Sequence, residues 1–237
     1  MNPSARQHIA IALVSFAVLF YQIGITRVLS VVLWYHFAFL AISLALLGVG
    51  APGVWFALRK NGVGKAGDGA RPDADRGLAG VLLAGGVAVP LSVIAITKGM
   101  ALVRGANDVR DTGGGFLDAP VLLTIGTILV PFLLLGAAVC LLLLRAQGRR
   151  VTTMYGADLL GATLGAVVVV PLMHIFPTPV MLAASGLLPL AAAALVSPRR
   201  VLPAVAGIVL VATMIWGEPY QLRHTKKYDE ARAVLYE

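Results

Sequence analysis

The segment Tyr155-Gly-Ala-Asp158-Leu-Leu-Gly161-Ala-Thr-Leu-Gly165 places one carboxylate inside a stretch that is otherwise apolar enough to cross a membrane. On a helix, five of its residues fall on one face because they are spaced by three or four positions. They are Tyr155, Asp158, Gly161, Ala162 and Gly165. An ionised carboxylate in hydrocarbon costs about 3 kcal/mol on the insertion scale, and small neighbours allow another helix to approach. We therefore expect this face to be buried against protein.

The composition around this segment is that of a membrane protein. Apolar residues make up 59% of the 237 and charged residues only 13%, whereas a soluble domain carries about 25% charged residues. The sequence predicts an all-α fold, a polytopic transmembrane bundle of about seven helices over residues 1–217. Residues 218–237 are polar and are expected to form a tail, or the run-in to a soluble domain that this chain lacks.

Seven apolar runs have close to the ~20 residues that a helix needs to span hydrocarbon. They are 8–32, 37–58, 78–97, 119–144, 154–173, 180–196 and 201–216. The last two are short and contain or border prolines, so a tilted or partly re-entrant course is the alternative there. Segments 61–77 and 98–118 have the composition of flexible linkers.

The basic residues predict the orientation of the bundle. The net charge of +8 would suggest nucleic acid in a soluble chain, but here Lys and Arg cluster in short loops on alternate sides. We expect them to contact anionic headgroups in a bacterial cytoplasmic membrane, with the N-terminus in the cytoplasm and no nucleic-acid partner. Seven crossings would leave the basic tail outside, whereas six crossings plus a re-entrant segment would leave it inside.

A second polar stripe lies on the first predicted helix, where Ser15, Gln22, Thr26 and Ser30 share a face. Neutral polar groups on a membrane helix usually hydrogen-bond to a neighbouring helix, and we expect this of the stripe. Arg27 beside it is always charged and lies near the outer end of the helix, where it can reach the headgroups.

Depth separates Arg27 from Asp158, which lies close to the inner end of its own run. Two straight helices would hold these charges about 20 Å apart. Better depth-matched partners for Asp158 are Ser15, the segment 48–53, or the first turn after Arg200. Within 48–53, Gly48 and Gly50 predict either a close helix crossing or a helix end weakened by glycine and proline.

The residue patterns of catalysis and metal binding are not found in the sequence. No Ser-His-Asp set, paired catalytic carboxylates or Cys-His pair lies at a suitable depth, and two interfacial histidines do not make a metal site. The triplet at 113–115 is not followed by a helix with GK[ST], so it does not predict a phosphate-binding loop. We expect no catalytic residue, no metal and no cofactor in this chain.

Two segments together resemble a known family. Tyr21-Gln22-Ile-Gly-Ile-Thr26-Arg27 is similar to the YE-x-x-x-TR pattern of membrane-embedded, spermidine-synthase-like proteins of bacteria, with Gln22 where the family usually has Glu. The segment 155–165 resembles the Y-x-A-D-L-x-G-A-x-x-G signature of their fifth helix. The resemblance covers the N-terminal multi-helix membrane domain of such proteins.

This resemblance implies a soluble, Rossmann-type aminopropyltransferase-like domain after the membrane helices. The chain has no strand–GxG–helix unit for an adenosylmethionine-type cofactor, so we expect either a membrane-domain fragment or a split protein whose synthase half is a separate chain. The leading hypothesis is a non-catalytic membrane module that anchors or serves that domain. Asp158 would be its cation-facing or helix-locking carboxylate, with Tyr155 and Gln22 as supporting polar groups.

Two other hypotheses remain open at this point. The chain could be a small-molecule transporter that uses Asp158 as its substrate or proton site. It could also be an accessory subunit that binds other membrane subunits, in which every polar residue simply locks helices together. In all three cases one partner is the lipid bilayer.

Overall fold

The structure is a computed structural model that describes residues 3–32, 36–58, 72–107, 119–146, 149–197 and 201–216. Within these residues all regular structure is α-helical, which confirms the predicted all-α bundle. The helices are α1 (Pro3–Val32), α2 (His36–Leu58), α3 (Pro72–Asn107), α4 (Ala119–Leu144), α5 (Arg149–Ile175), α6 (Thr178–Ser185), α7 (Leu187–Val196) and α8 (Val201–Trp216). The predicted tail at 218–237 lies outside the described residues, as does most of the linker 61–77.

Six spans in the described chain are long and apolar enough to cross a membrane, which makes the protein an integral membrane helix bundle. They lie in α1, α2, α3, α4, α5 and the stacked pair α6–α7, which forms the single span Thr178–Val196. The seventh predicted run is α8, a helix of 16 residues. Its described part is about 24 Å long against the ~30 Å of a hydrocarbon core, so the described residues contain six full-length crossings and one shorter apolar helix.

The third helix is longer than expected, and the predicted linker 98–118 is wrong in its first half. Helix α3 continues beyond its apolar part to Asn107. The sequence Met-Ala-Leu-Val-Arg over 100–104 is composed largely of residues that tolerate or favour a helix, and no proline interrupts it. Residues 108–118, which include the glycine triplet, are outside the described part.

Helix α1 lies at the centre of the bundle, where it packs on α2, α4, α5, α6 and α7 and contacts α3 through one side-chain pair. Its buried residues come from several sides of the helix rather than from one stripe, which is the pattern of a helix covered all round. They include Ala10, Ile11, Val14, Ala17, Val18, Tyr21, Ile25 and Leu29. Because α1 contacts so many other helices, its polar residues are the ones best placed to bond across the bundle.

Two glycines bring α3 and the α6–α7 pair into backbone contact. A Cβ added at Gly186 would lie 2.6 Å from the Gly86 carbonyl oxygen and 2.9 Å from Pro90 Cδ. A Cβ at Gly86 would in turn lie 2.7 Å from Leu190 Cγ. Real side chains do not approach so closely, so both positions need glycine, and the crossing explains why the predicted run 180–196 is divided at Gly186.

The glycines of α2 lie in one of the three segments that the sequence offers as partners of Asp158, and the structure places them elsewhere. Gly48 packs on α4, where an added Cβ would clash with Phe132, and Gly136 of α4 packs on the backbone of Gly48 and Val49. At Gly50 an added Cβ meets nothing within 4 Å among the described residues. The close crossing at Gly48 is therefore between α2 and α4, and Gly50 takes no part in it.

Candidate functional site

The seam between α1 and α5 contains the segment 155–165 and is the most extensive helix contact in the described chain. A Cβ added at Gly161 would clash with the backbone of Ala12, and one at Gly165 would clash with the backbone of Phe16. Both glycines are buried, so the missing side chains let the two helix backbones touch. This part of the 155–165 face is packed against protein, as its spacing predicts.

The intramembrane carboxylate is bonded across this seam. Ser15 Oγ donates a hydrogen bond to Asp158 Oδ1, and Ser15 was one of the three partners expected from its depth. A charge-assisted hydrogen bond of this kind is about twice as strong as a neutral one. Asp158 therefore fixes the register of α5 on α1.

A second polar contact joins the same two helices nearer their N-termini. His8 Nε2 lies 3.0 Å from Thr153 Oγ1, whose hydroxyl donates to the Arg150 carbonyl. Because that hydroxyl proton is already used, His8 Nε2 is the donor to Thr153. Since the starts of α1 and α5 meet here and Phe16 meets Gly165 further along, the two helices run parallel.

Tyr155 departs from the expected arrangement, because its side chain is 54% exposed instead of buried with Asp158. Leu159, Leu160 and Val167, which do not belong to the face of Asp158, are exposed too. Helix α5 is the least buried of the six spans. It lies at the edge of the bundle, with the glycine face on α1 and much of its remaining surface exposed.

The polar stripe of α1 is not used as predicted, because among the described residues only its Ser15 bonds to another helix. Thr26 Oγ1 donates to the Gln22 carbonyl and Ser30 Oγ to the Arg27 carbonyl, both within α1. Hydroxyls commonly satisfy themselves on the preceding turn in this way. Gln22 is half-buried and Arg27 is exposed.

The polar residues that the sequence predicts for one site lie at different heights along α1. Ser15, which holds Asp158, lies about 10 Å along α1 from Gln22 and about 18 Å from Arg27. The structure therefore does not bring Gln22, Thr26 or Arg27 to Asp158. The expectation that Arg27 and Asp158 stay apart agrees with this geometry.

The fully buried polar pair Tyr21–Ser92 was not predicted from the sequence. Tyr21 has no exposed surface, and its hydroxyl lies 2.7 Å from Ser92 Oγ of α3. Ser92 donates to the Val89 carbonyl, so Tyr21 is the donor in the pair, and its ring packs at 5.1 Å from that of Phe132. The available signal was Ser92 itself, the only serine in the apolar run 78–97.

The chemistry that this arrangement supports is helix–helix binding at three separate points on α1. They lie at His8, Ser15 and Tyr21. Among the described residues no group of three or more His, Cys, Asp or Glu could hold a metal ion. His174 bonds to the Val170 carbonyl of its own helix, and Cys140 is a free, half-buried thiol.

Comparison with known proteins adds no relative, since no protein family, no curated protein and no solved structure matches this chain.

Proposed function

We propose that this chain is the non-catalytic integral-membrane module of a spermidine-synthase-like system, and that it anchors or serves a soluble synthase domain. The observation that supports this is that both motif segments lie at contacts between helices. Asp158, Gly161 and Gly165 hold α5 on α1, and Tyr21 holds α1 on α3. Residues that fix helices at separate points suit a rigid anchor.

The proposed orientation places the N-terminus in the cytoplasm of a bacterial cell. The parallel α1–α5 pair supports this, because it brings Arg6 and Arg150 to the same end of the bundle. By the positive-inside rule that end faces the cytoplasm. An aminopropyltransferase-like partner, whether a separate chain or a C-terminal domain, would be available on that side.

The experiment for this proposal follows the synthase activity between cell fractions. In cells that carry this chain, aminopropyltransferase activity should sediment with the membranes, and deletion of the chain should move it to the soluble fraction. Re-expression of the chain should return the activity to the membranes. If the activity is soluble in both strains, the chain does not anchor a synthase.

The second candidate is a small-molecule transporter, and the observation in its favour is a carboxylate that lies half-buried inside a span, where ionisable residues commonly mark substrate or proton pathways. Purified chain in liposomes separates the two functions. Uptake of radiolabelled spermidine by the chain alone, abolished by Asp158→Asn, would establish transport. For an anchor, or for an accessory subunit, we expect no uptake above empty liposomes.

A further inference from the structure

The contact with Ser15 uses one of the two oxygens of Asp158. Ser15 Oγ bonds to Oδ1, and no other partner of this side chain occurs among the described residues. Within the same residues every buried side-chain nitrogen or oxygen has a hydrogen-bond partner. Oδ2, which has none, is therefore not completely buried.

The surface around Oδ2 is open and apolar. Tyr155 lies one turn away on the same face of α5, which places its Cβ about 5–6 Å from that of Asp158. The Tyr155 side chain is 54% exposed and that of Leu159 is 49% exposed. Asp158 itself is half-buried, so its side chain lies at the border between the α1–α5 seam and this exposed surface.

The depth of Asp158 in the membrane limits which ligands can reach it. Asp158 lies eight residues beyond Arg150, the start of its span, and therefore about 12 Å inward along the helix. That depth is below the headgroups and within the hydrocarbon. A small hydrated cation does not enter hydrocarbon, whereas an amphiphilic amine partitions into the membrane with its apolar chain in the hydrocarbon and its ammonium group on the headgroup side.

Charge and ring chemistry then specify the ligand class. A carboxylate favours a cationic hydrogen-bond donor, and an exposed tyrosine face attracts an ammonium group through its π electrons. The arginines of the two seam helices whose side chains are described, Arg6, Arg27 and Arg150, lie towards the helix ends, so Asp158 keeps its attraction for an external cation.

We propose that Asp158 Oδ2 and the ring of Tyr155 bind the ammonium group of a membrane-partitioned amine, whose apolar part lies along Leu159. The amine enters sideways from the leaflet that Arg150 faces. One oxygen of Asp158 thus locks α5 to α1, and the other binds ligand. This site deepens the proposed function and rests on it, because a spermidine-synthase-like module has amine chemistry to serve.

The test uses the full chain in phosphatidylcholine vesicles and a long-chain primary amine with an aryl diazirine at its far end. A probe with the same chain and a terminal alcohol is the matched control. We expect the amine to label α5 saturably, in competition with dodecylamine, and the alcohol to label without saturation. Labelled residues are identified by mass spectrometry.

Two variants separate binding from helix locking. Asp158→Asn keeps an acceptor for Ser15 and should weaken saturable labelling at least about tenfold, since a hydrogen bond to a charged group contributes about 1.5–3 kcal/mol. Ser15→Ala removes the lock, so it should lower the melting temperature but retain labelling.

Two outcomes would overturn the proposal: equal labelling of wild type and Asp158→Asn, or equal labelling by the amine and the alcohol. Either would leave the membrane association of the synthase untouched, because that association is measured separately by cell fractionation.

Discussion

At the scale of the residue, Tyr21 and Tyr155 place the same side chain in two environments. Tyr21 has no exposed surface and donates to Ser92, whereas Tyr155 is 54% exposed at the edge of α5. Tyr21→Phe keeps the ring packing on Phe132 but removes one bond between helices. We expect it to lower the free energy of unfolding by about 0.6–1.5 kcal/mol, measured by thermal unfolding in detergent micelles.

Tyr155→Phe is the matched control for this experiment, because it removes the same hydroxyl from an exposed position. We expect its effect on the free energy of unfolding to stay within about 0.5 kcal/mol. Equal losses for the two variants would mean that the Tyr21–Ser92 bond makes no special contribution to stability.

Two hydrogen bonds of α1, Ser15–Asp158 and Tyr21–Ser92, differ in how far the sequence could predict them. Asp158 is a rare acid near the end of an apolar run, so its depth alone limited its partners to a few, Ser15 among them. Tyr21–Ser92 could not be found in this way. A hydroxyl in an apolar run usually bonds to its own helix, and the pairing depends on the rotation of α1 about its axis.

At the scale of the element, glycine sets the distance between α1 and α5. Gly161→Ala would push its methyl group into the backbone of Ala12, which cannot move aside as a flexible side chain can. We expect a loss of about 1–3 kcal/mol in the free energy of unfolding, as for other overpacked contacts. Unfolding by sodium dodecyl sulfate in mixed micelles measures this loss.

Gly156→Ala is the control on the same helix, because a Cβ there meets nothing within 4 Å among the described residues. Alanine is the better helix former, so we expect no loss and at most a small gain in stability. A Gly161→Ala protein as stable as Gly156→Ala would contradict the close approach of the two backbones.

Helices were easier to predict than their boundaries and contacts. Runs such as 119–144 are apolar for a full membrane thickness, and composition alone locates them. The extension of α3 to Asn107 was not predicted because those residues lie beyond the apolar part of the helix. The division at Gly186 was not predicted because it lies at a crossing with Gly86, which no local sequence pattern shows.

At the scale of the whole molecule, the number of crossings decides where the tail lies. Six spans are long enough, and α8, with 16 residues, is about 6 Å shorter than a hydrocarbon core. The tail also carries Arg223, Lys226, Lys227 and Arg232, which favour the cytoplasmic side. The length of the described part of α8 and the charge of the tail both favour an even number of crossings.

We expect residue 237 to lie on the same side of the membrane as the N-terminus. Fusions of alkaline phosphatase and of green fluorescent protein after residue 237 measure this, since the first is active only outside and the second fluoresces only inside. Matched fusions within 59–71 and 108–118 report the two opposite sides and calibrate the signals. Phosphatase activity at 237 equal to that in 108–118 would mean that α8 crosses despite its length, and a synthase domain joined directly to this tail would then lie outside the cell.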